Sequence, residues 1–259
     1  MILRSTLTAA ALACIALVSP ASAADMAVKA RPMAAPPPVQ NWYGFYIGAH
    51  AGYAWSNDSV DFTSATGLLA IGVNIPGSLG SNSNGFIGGI HWGSNYQFGS
   101  VVLGFDSDFS WLDRDATQTV TLGGITTTAT QSLDWFGTTR VRAGFLVTPN
   151  TLLYATGGLA SGRAEVDITH TAAGTFNINA RDTLWGYAIG GGIEYLAGPW
   201  MFRVEYLHYD LGDLDFAYTI PATGTITTST NFSGDIVRAG ISYKFNWTPL
   251  GILMGQDRF

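Results

Sequence analysis

The sequence predicts an all-β fold, an eight-stranded antiparallel transmembrane β-barrel with short periplasmic turns and long extracellular loops. Of its 259 residues, 47% are hydrophobic and only 12% are charged, against about 25% charged in ordinary soluble domains. No apolar run reaches the roughly 18 residues that a membrane helix needs. Apolar residues instead recur at every second position, which is the period of a strand with two different faces. This composition, apolar on average but without a continuous apolar segment, predicts that the chain crosses a bilayer with strands.

The N-terminal region reads as an export signal followed by a linker. Residues 1–23 combine a positive start at Arg4, an apolar core over Leu7–Val18 and the small residues Ala21 to Ala23 before a cleavage site, as signal peptides do. The competing interpretation is a lipoprotein signal at Cys14. Residues 24–41 are rich in Pro and Ala, which predicts an extended periplasmic linker. Removal of residues 1–23 would remove the only cysteine, so we expect no disulfide.

Residues 42–245 form the predicted barrel, and each strand has one apolar face that we expect to contact lipid. Large apolar residues alternate there with Gly, Ala, His and Asn. The strand at Thr151–Arg163 gives no clear phase. For the other seven, the predicted lipid faces are Tyr43 to Trp55 at odd positions; Phe86, Ile90, Trp92, Tyr96 and Phe98; Val101, Leu103, Phe105, Phe109 and Trp111; Leu133, Trp135, Val141, Ala143, Phe145 and Val147; Trp185, Tyr187, Ile189, Ile193 and Tyr195; Phe202, Val204 and Tyr206; and Val237, Ala239, Ile241, Tyr243 and Phe245.

The charged residues of these strands test the assignment independently, because the faces were chosen from apolar residues alone. All of them lie on the opposite faces, whereas chance would divide them evenly. A Lys or Arg facing lipid at the bilayer midplane costs about 2–4 kcal/mol. We therefore predict an interior set of five basic and four acidic side chains, joined by salt bridges that fill the lumen. The set comprises Asp106, Asp108, Arg140, Arg142, Glu194, Arg203, Glu205, Arg238 and Lys244.

The connections alternate in length, as they do in outer-membrane barrels. Tight turns are predicted at 98–100, 149–150 and 197–199, and long connections at 56–84, 112–130, 164–182 and 210–234. Thr-rich stretches in the long connections favour strands, so we expect several hairpins to extend beyond the membrane. The alternative is a soluble secreted barrel or sandwich, whose second face would meet water and carry many charges.

Four segments resemble a known family: Trp42-Tyr43-Gly44-Phe45-Tyr46-Ile47-Gly48, Leu133-Asp134-Trp135-Phe136-Gly137, Leu153-Tyr154-Ala155-Thr156-Gly157-Gly158-Leu159-Ala160 and Val204-Glu205-Tyr206-Leu207-His208-Tyr209-Asp210-Leu211-Gly212. They are similar to segments of the small eight-stranded outer-membrane proteins of alphaproteobacteria, a surface-antigen group of outer-membrane β-barrel domains. The resemblance implies an abundant protein of the bacterial outer membrane that supports envelope integrity and displays surface loops. Pore activity and haem binding are proposed for some relatives, but no motif transfers a binding residue to this chain.

The same resemblance implies that the barrel-assembly machinery recognises a terminal aromatic, here Phe245. Residues 246–259 continue past it without alternation, so their structure is not predicted. We expect outer-membrane lipid and the assembly machinery as partners, together with an extracellular loop partner of unknown identity. The net charge of −6 argues against a nucleic-acid partner, because phosphate binding needs a basic surface.

Few residues suggest chemistry. His50 and His91 are predicted on inward faces of adjacent strands with Ser94 nearby, but a nucleophile also needs a group that orients its base. Carboxylates at 106, 108, 113 and 115, and at 210, 213 and 215, could suggest calcium, yet neither run has the spacing of a calcium hand. The sequence therefore predicts no catalytic residue, cofactor or metal site. A small diffusion pore, a ligand-binding barrel or a barrel-embedded hydrolase remain alternatives to a structural barrel with a plugged lumen.

Overall fold

Large apolar residues alternate with small or polar ones along the chain, and the chain accordingly forms nine antiparallel strands. The computed structural model describes residues 41–65, 78–113, 115–122, 125–171, 175–220 and 224–248. The predicted signal peptide and, apart from Asn41, the predicted linker lie outside them, as does the tail beyond Thr248. The strands are β1 (Gly44–Ala65), β2 (Ser78–Phe98), β3 (Val101–Asp113), β4 (Asp115–Leu122), β5 (Ile125–Thr148), β6 (Thr151–Thr171), β7 (Thr175–Ala197), β8 (Trp200–Ile220) and β9 (Gly224–Lys244).

The sheet closes on itself through eight strand positions. Each strand pairs with its neighbours in the order β3-β2-β1-β9-β8-β7-β6-β5-β4, and β3 also pairs with β5. Strands β3 and β4 follow one another along the same partner, since Trp111 lies opposite Trp135 and Asp115 lies opposite Ser132 of β5. They therefore act as one long strand, and the ring is the predicted eight-stranded barrel. A closed ring leaves no strand edge to be solvated in lipid.

The two ends of the barrel differ as the sequence predicts. At one end, Gly99 and Gly198 adopt φ of 61° as the first central residues of two-residue turns, where a positive φ suits glycine. At the other end, the predicted long connections are mostly strand, since pairing continues to Leu122↔Ile125 and Thr171↔Thr175. Threonine explains this extension. Cross-strand hydroxyl pairs recur along β4 and β5 at Thr117–Thr130, Thr119–Thr128 and Thr121–Thr126, with oxygens 3.0–3.1 Å apart.

The outer wall between these ends carries large exposed apolar side chains. Trp111, Trp135 and Trp185 lie towards the long hairpins, and Phe98 and Trp200 lie next to the short turns. Aromatic girdles of this kind flank the apolar band of membrane barrels. Within the described ranges, no helix is long and apolar enough to cross a membrane.

One predicted lipid-facing residue points inward. Leu133 is only 1% exposed, because the β5–β6 register shifts between Leu133 and Phe136. A bulge inserts a residue and reverses the alternation beyond it. Leu133 and Phe136 therefore both face the lumen, and the assignment of Leu133 to the lipid face is wrong.

The interior is filled in three layers, visible in chain order along β8. Met201 belongs to a lower apolar cluster that also contains Trp42, Tyr46 and Leu152. Arg203 and Glu205 come next and are buried. Leu207, Tyr209 and Leu211 then belong to an upper apolar cluster towards the hairpins. Charged side chains thus occupy the middle of the lumen, between two apolar layers.

Candidate functional site

The candidate site is the interior charge layer. All nine charged residues named from the sequence have inward-facing side chains, and none is more than 6% exposed. The sheet register sets oppositely charged residues side by side on neighbouring strands: Asp106 opposite Arg140, Glu194 opposite Arg203, and Glu205 opposite Arg238. Opposite charges in such cross-strand positions attract one another. Eight of the nine form one network of four guanidinium groups and four carboxylates.

Arg140 is the centre of the upper half of this network. Its Nη2 lies 3.1 Å from Asp106 Oδ1 and 3.1 Å from Asp108 Oδ2, and its Nη1 lies 3.1 Å from Glu205 Oε1. Arg238 shares two of these carboxylates, with its Nη2 2.9 Å from Asp108 Oδ2 and 2.7 Å from Glu205 Oε2. Asp108 and Glu205 therefore each contact two cations, which offsets the cost of burying the charges.

The lower half is built around Arg142 and Arg203. Arg142 donates two hydrogen bonds to Glu194, of 2.9 and 2.5 Å, the bidentate geometry that favours arginine over lysine. Arg203 donates to Asp106 at 2.9 Å. Its Nε also lies 2.9 Å from Glu194 Oε1, but the N–H does not point at the oxygen, so this contact is a charge pair rather than a hydrogen bond.

Two tyrosines join the network and were missed from the sequence. Tyr46 donates a 2.5 Å hydrogen bond to Asp106, and Tyr154 donates a 2.9 Å bond to Glu205. The guanidinium carbon of Arg142 lies 4.2 Å from the centre of the Tyr154 ring, within the range of a cation–π contact. Tyr46 has the inward parity of His50, so the alternation could have identified it. Tyr154 lies on the strand whose phase was unclear.

Lys244 stands apart from the network near the short turns. Its Nζ donates to the Tyr43 carbonyl oxygen at 3.1 Å and to Asn246 Oδ1 at 2.8 Å. The same end is closed by Trp42, which is fully buried. The Trp42 indole donates to the Pro149 carbonyl oxygen at 3.1 Å, and its backbone N–H donates to Gln97 at 2.8 Å. These contacts tie the residue before β1 to two different turns across the mouth of the barrel.

The two predicted inward histidines do meet. Their Nδ1 atoms are 3.3 Å apart, while His50 Nε2 lies 2.8 Å from Ser110 Oγ and His91 Nε2 lies 2.7 Å from Ser242 Oγ. Ser94 is not part of this cluster, because it has the outward parity of Trp92 and Tyr96. In a serine hydrolase, a carboxylate orients the histidine from its second nitrogen, and here each second nitrogen faces the other histidine.

The predicted carboxylate runs do not gather into a cation site. Asp106 and Asp108 face arginines, Asp210 accepts from the Gly212 backbone N–H, and Asp213 accepts from Asn231. The side chains at 113 and 115 lie outside the described residues. In the part of the chain that the structure describes, no three His, Cys, Asp or Glu side chains are grouped to hold a metal ion.

Polar residues also occur on the outward face, at the rim nearest the long hairpins. Asp235 has the outward parity of Val237, and its Oδ1 accepts from Tyr206 at 2.6 Å and lies 2.9 Å from His208 Nδ1. The predicted lipid face of this strand begins at Val237 and so contains no charge. Asp235 corrects that assignment: the apolar band ends below it.

Comparisons with known proteins agree with the fold. Residues 9–245 match the family described as outer membrane protein beta-barrel domain. The 31 kDa outer-membrane immunogenic protein of Brucella melitensis is 33% identical over 235 residues, 87% of this chain and 93% of that protein. The 22 kDa outer membrane protein of Rhizobium leguminosarum bv. viciae is 29% identical over 211 residues, 80% of each chain. A closed ring of strands with a lipid-facing apolar band, together with these matches, establishes that the chain belongs to the outer membrane protein beta-barrel domain family and is a protein of the bacterial outer membrane.

Proposed function

We propose that this protein is a structural barrel with a plugged lumen, which supports envelope integrity and displays surface hairpins. The observation that supports this most directly is the ion-pair network between two apolar layers. An eight-stranded barrel has an interior only just wide enough for side chains. Here bulky side chains from several strands meet across that interior.

A water path through this interior would require separating buried ion pairs. Removing one partner of such a pair costs about 3–5 kcal/mol, because the other charge is left uncompensated. A path would also have to cross the upper cluster, in which the ring of Phe136 packs 4.9 Å from that of Tyr209. Both features favour a closed lumen over a small diffusion pore.

Planar-bilayer recording tests the plugged lumen. The purified protein, shown to be folded by a gel mobility that changes on boiling, should give no steady single-channel conductance. A reproducible unitary conductance from folded wild-type protein would instead support the pore. The variant Arg181→Gln, changed outside the membrane, is a control for effects of altered charge alone and should behave as wild type.

The geometry of the histidine pair supports a role in packing rather than catalysis. His50 and His91 are 5% and 0% exposed, so a substrate has no access to them. The variants His50→Ala and His91→Ala should lower stability without removing any hydrolytic activity of the folded protein. Loss of such an activity with unchanged folding would support an enzyme instead.

The long hairpins support surface display, because loops and hairpins on a rigid barrel are common recognition elements. The name of the Brucella relative, an immunogenic protein, agrees with surface exposure. Protease treatment of intact cells should cut within the hairpin that joins β6 and β7 and leave the barrel intact. Complete protection in intact cells, with cleavage only after lysis, would contradict this orientation.

During biogenesis, we propose that the barrel-assembly machinery inserts the chain. The aromatic rings of Phe245 and Trp247 pack with Phe45 at the end of the last strand, with centroids 6.1 and 5.5 Å from that of Phe45. Depletion of the machinery should leave the chain unfolded, so that its gel mobility no longer changes on boiling. Folding at the normal rate in depleted cells would exclude this partner.

A further inference from the structure

The lipid-facing wall contains a groove of about 420 Å³ across β2, β3, β5, β6 and β7. Its floor consists of small residues: Ser107, Gly137, Thr139 and Ser161. Its walls consist of large residues: Trp92, Phe109, Trp135, Leu159 and Trp185. The wall has other recesses, but the ones lined by Ala51 and Ala239 and by Ala143 and Ala155 contain no serine or threonine, so the hydroxyl-bearing floor distinguishes this groove.

The strand register explains why the groove exists. Ser107 lies opposite Thr139, and Gly137 lies opposite Ser161, so the four floor positions are adjacent. None of them has a side chain larger than threonine. Ser107 Oγ and Thr139 Oγ1 are 3.0 Å apart and hydrogen-bond each other. The floor therefore places hydroxyl groups within the mostly apolar outer band.

The groove lies in the outer half of the bilayer. Trp111 and Trp135 are opposite one another and belong to the extracellular aromatic girdle. Thr139 is four residues below Trp135 on β5, which corresponds to roughly 10 Å of depth in a tilted strand. This depth is reached by the acyl chains of outer-leaflet lipids and lies below their headgroups.

A cation stands directly above the groove. Arg163 is two residues beyond Ser161 on β6 and shares its outward parity, between Trp135 and Thr183. It is exposed, and no ion pair within 4.0 Å joins it to a described residue, although its charge also acts on the Glu165 carboxylate two residues further along β6. The neighbouring Arg181 differs, because it is ion-paired with Glu165. A guanidinium with no direct ion-pair contact thus lies at headgroup depth, where a phosphate can pair with it.

We propose that this groove binds one outer-leaflet lipid with a phosphate-bearing headgroup. An acyl chain lies between the tryptophans, the Ser161 hydroxyl bonds a polar atom near the start of the chain, and the phosphate pairs with Arg163. Charge complementarity selects an anionic lipid over a zwitterionic one. The proposal rests on the location in the outer membrane and not on whether the lumen conducts.

Native mass spectrometry of the full chain tests this, after reconstitution in vesicles of equal phosphatidylglycerol and phosphatidylcholine. Wild-type protein should retain one phosphatidylglycerol, with a preference of about fivefold, the factor expected from one basic residue near an anionic headgroup. Arg163→Gln should retain lipid without preference. Arg181→Gln is the matched control and should retain the wild-type preference.

A variant that fills the groove distinguishes lipid binding at this site from general contact between lipid and the barrel wall. Gly137→Leu should lose the retained lipid; a Cβ there meets only ordinary contacts of 3.4 Å or more, and the change of gel mobility on boiling checks that the variant folds. Gly157→Leu is the control, since Gly157 also faces lipid with contacts of 3.6 Å or more but lies outside the groove. Thr139→Leu is a second filling variant.

Three outcomes would overturn the proposal. The first is equal lipid retention by Gly137→Leu and Gly157→Leu. The second is equal selectivity in Arg163→Gln and Arg181→Gln. The third is a lipid-free dimer of wild-type protein that Gly137→Leu dissociates, which would assign the groove to contact between two copies of the chain.

Discussion

The hydroxyl of Tyr46 occupies the space that a side chain at Gly93 would need. A Cβ atom on Gly93 would lie 2.4 Å from Tyr46 Oη and 2.2 Å from the Phe105 carbonyl oxygen, both far inside van der Waals contact. Tyr46 also accepts a 3.1 Å hydrogen bond from Arg142 in addition to its bond to Asp106. The absence of a side chain at one position thus makes room for the lower half of the charge network.

Replacing Gly93 should therefore destabilise the barrel. We expect Gly93→Ala to lower the free energy of unfolding by about 1–3 kcal/mol, the usual cost of overpacking. Urea unfolding in phospholipid vesicles, followed by tryptophan fluorescence, measures this. Gly157→Ala is the control, because its Cβ has ordinary contacts, and it should be close to wild type. Equal stability of the two variants would contradict the packing of Tyr46 against Gly93.

Removing the central guanidinium should be more severe. Arg140→Met leaves buried carboxylates short of a counter-charge, and we expect a loss of about 3–5 kcal/mol in the same unfolding measurement. Arg181→Met removes an exposed ion pair on the β6–β7 hairpin and should change the unfolding transition little. If both variants unfold alike, the interior network does not contribute as its geometry indicates.

The bulge in β5 predicts a reversal of cysteine reactivity. In a variant with Cys14 replaced by serine, Leu133→Cys should react slowly with a maleimide because position 133 is buried, whereas Asp134→Cys should react rapidly because position 134 is exposed. Mass spectrometry of the folded protein gives the labelled fraction, and the unfolded protein controls for intrinsic reactivity. Faster labelling at position 133 than at position 134 would show that the alternation continues without a bulge, as predicted from the sequence.

The β6–β7 hairpin should respond to acid through Glu165, which lies beyond the aromatic girdle. Hydrogen bonds from Asn179, at 2.8 Å, and from Arg181 lower the pKa of the Glu165 carboxyl below its usual 4.5. The charged form is favoured by folding, so its stabilising effect is present above the unfolded pKa and is lost as pH falls through the folded value.

NMR titration of the Glu165 carboxyl carbon measures this shift. The midpoint should lie below 4.5 in wild type and rise towards it in Asn179→Ala and in Arg181→Gln. Asn231→Ala removes a similar bond, to Asp213 on the β8–β9 hairpin, and should leave the Glu165 midpoint unchanged. The same midpoint in all four proteins would show that these bonds do not act on Glu165.

Alternation explains why so much of the barrel could be predicted. A period of two needs no knowledge of distant residues, so the inward parity of Asp106 or Arg238 can be derived from the neighbours of each in the chain. The ion-pair partner of each inward residue could not be derived in this way. Asp108 and Arg238 are 130 residues apart, and their contact depends on ring closure and on the reach of a guanidinium across the lumen. The local sequence pattern gives no information about ring closure or about the reach of a side chain across the lumen.

The incorrect assignments also have physical causes. Leu133 was placed outside because a bulge leaves no signature in the polarity of single residues. The long connections were expected to be loops with some hairpins, yet three Thr–Thr pairs link β4 to the first residues of β5 and extend the hairpin. Trp42 was taken as the first residue of the first strand, but it lies before β1 and closes the mouth, a role that depends on the Pro149 carbonyl of a distant turn.

The pairing of Arg238 with Asp108 constrains the order of assembly. Asp108 is on β3 and is synthesised early, whereas Arg238 is on β9, the last strand, which also pairs with β1. Until β9 docks, the carboxylates of β3 and β8 lack one of their cations, so a sheet that contains β3 to β8 without β9 has one more carboxylate than guanidinium in its charge network. A β9 displaced along β1 would place Arg238 away from both carboxylates. Charge balance in the eight-residue network therefore coincides with correct closure, and an incomplete or misaligned ring leaves buried carboxylates without a counter-charge.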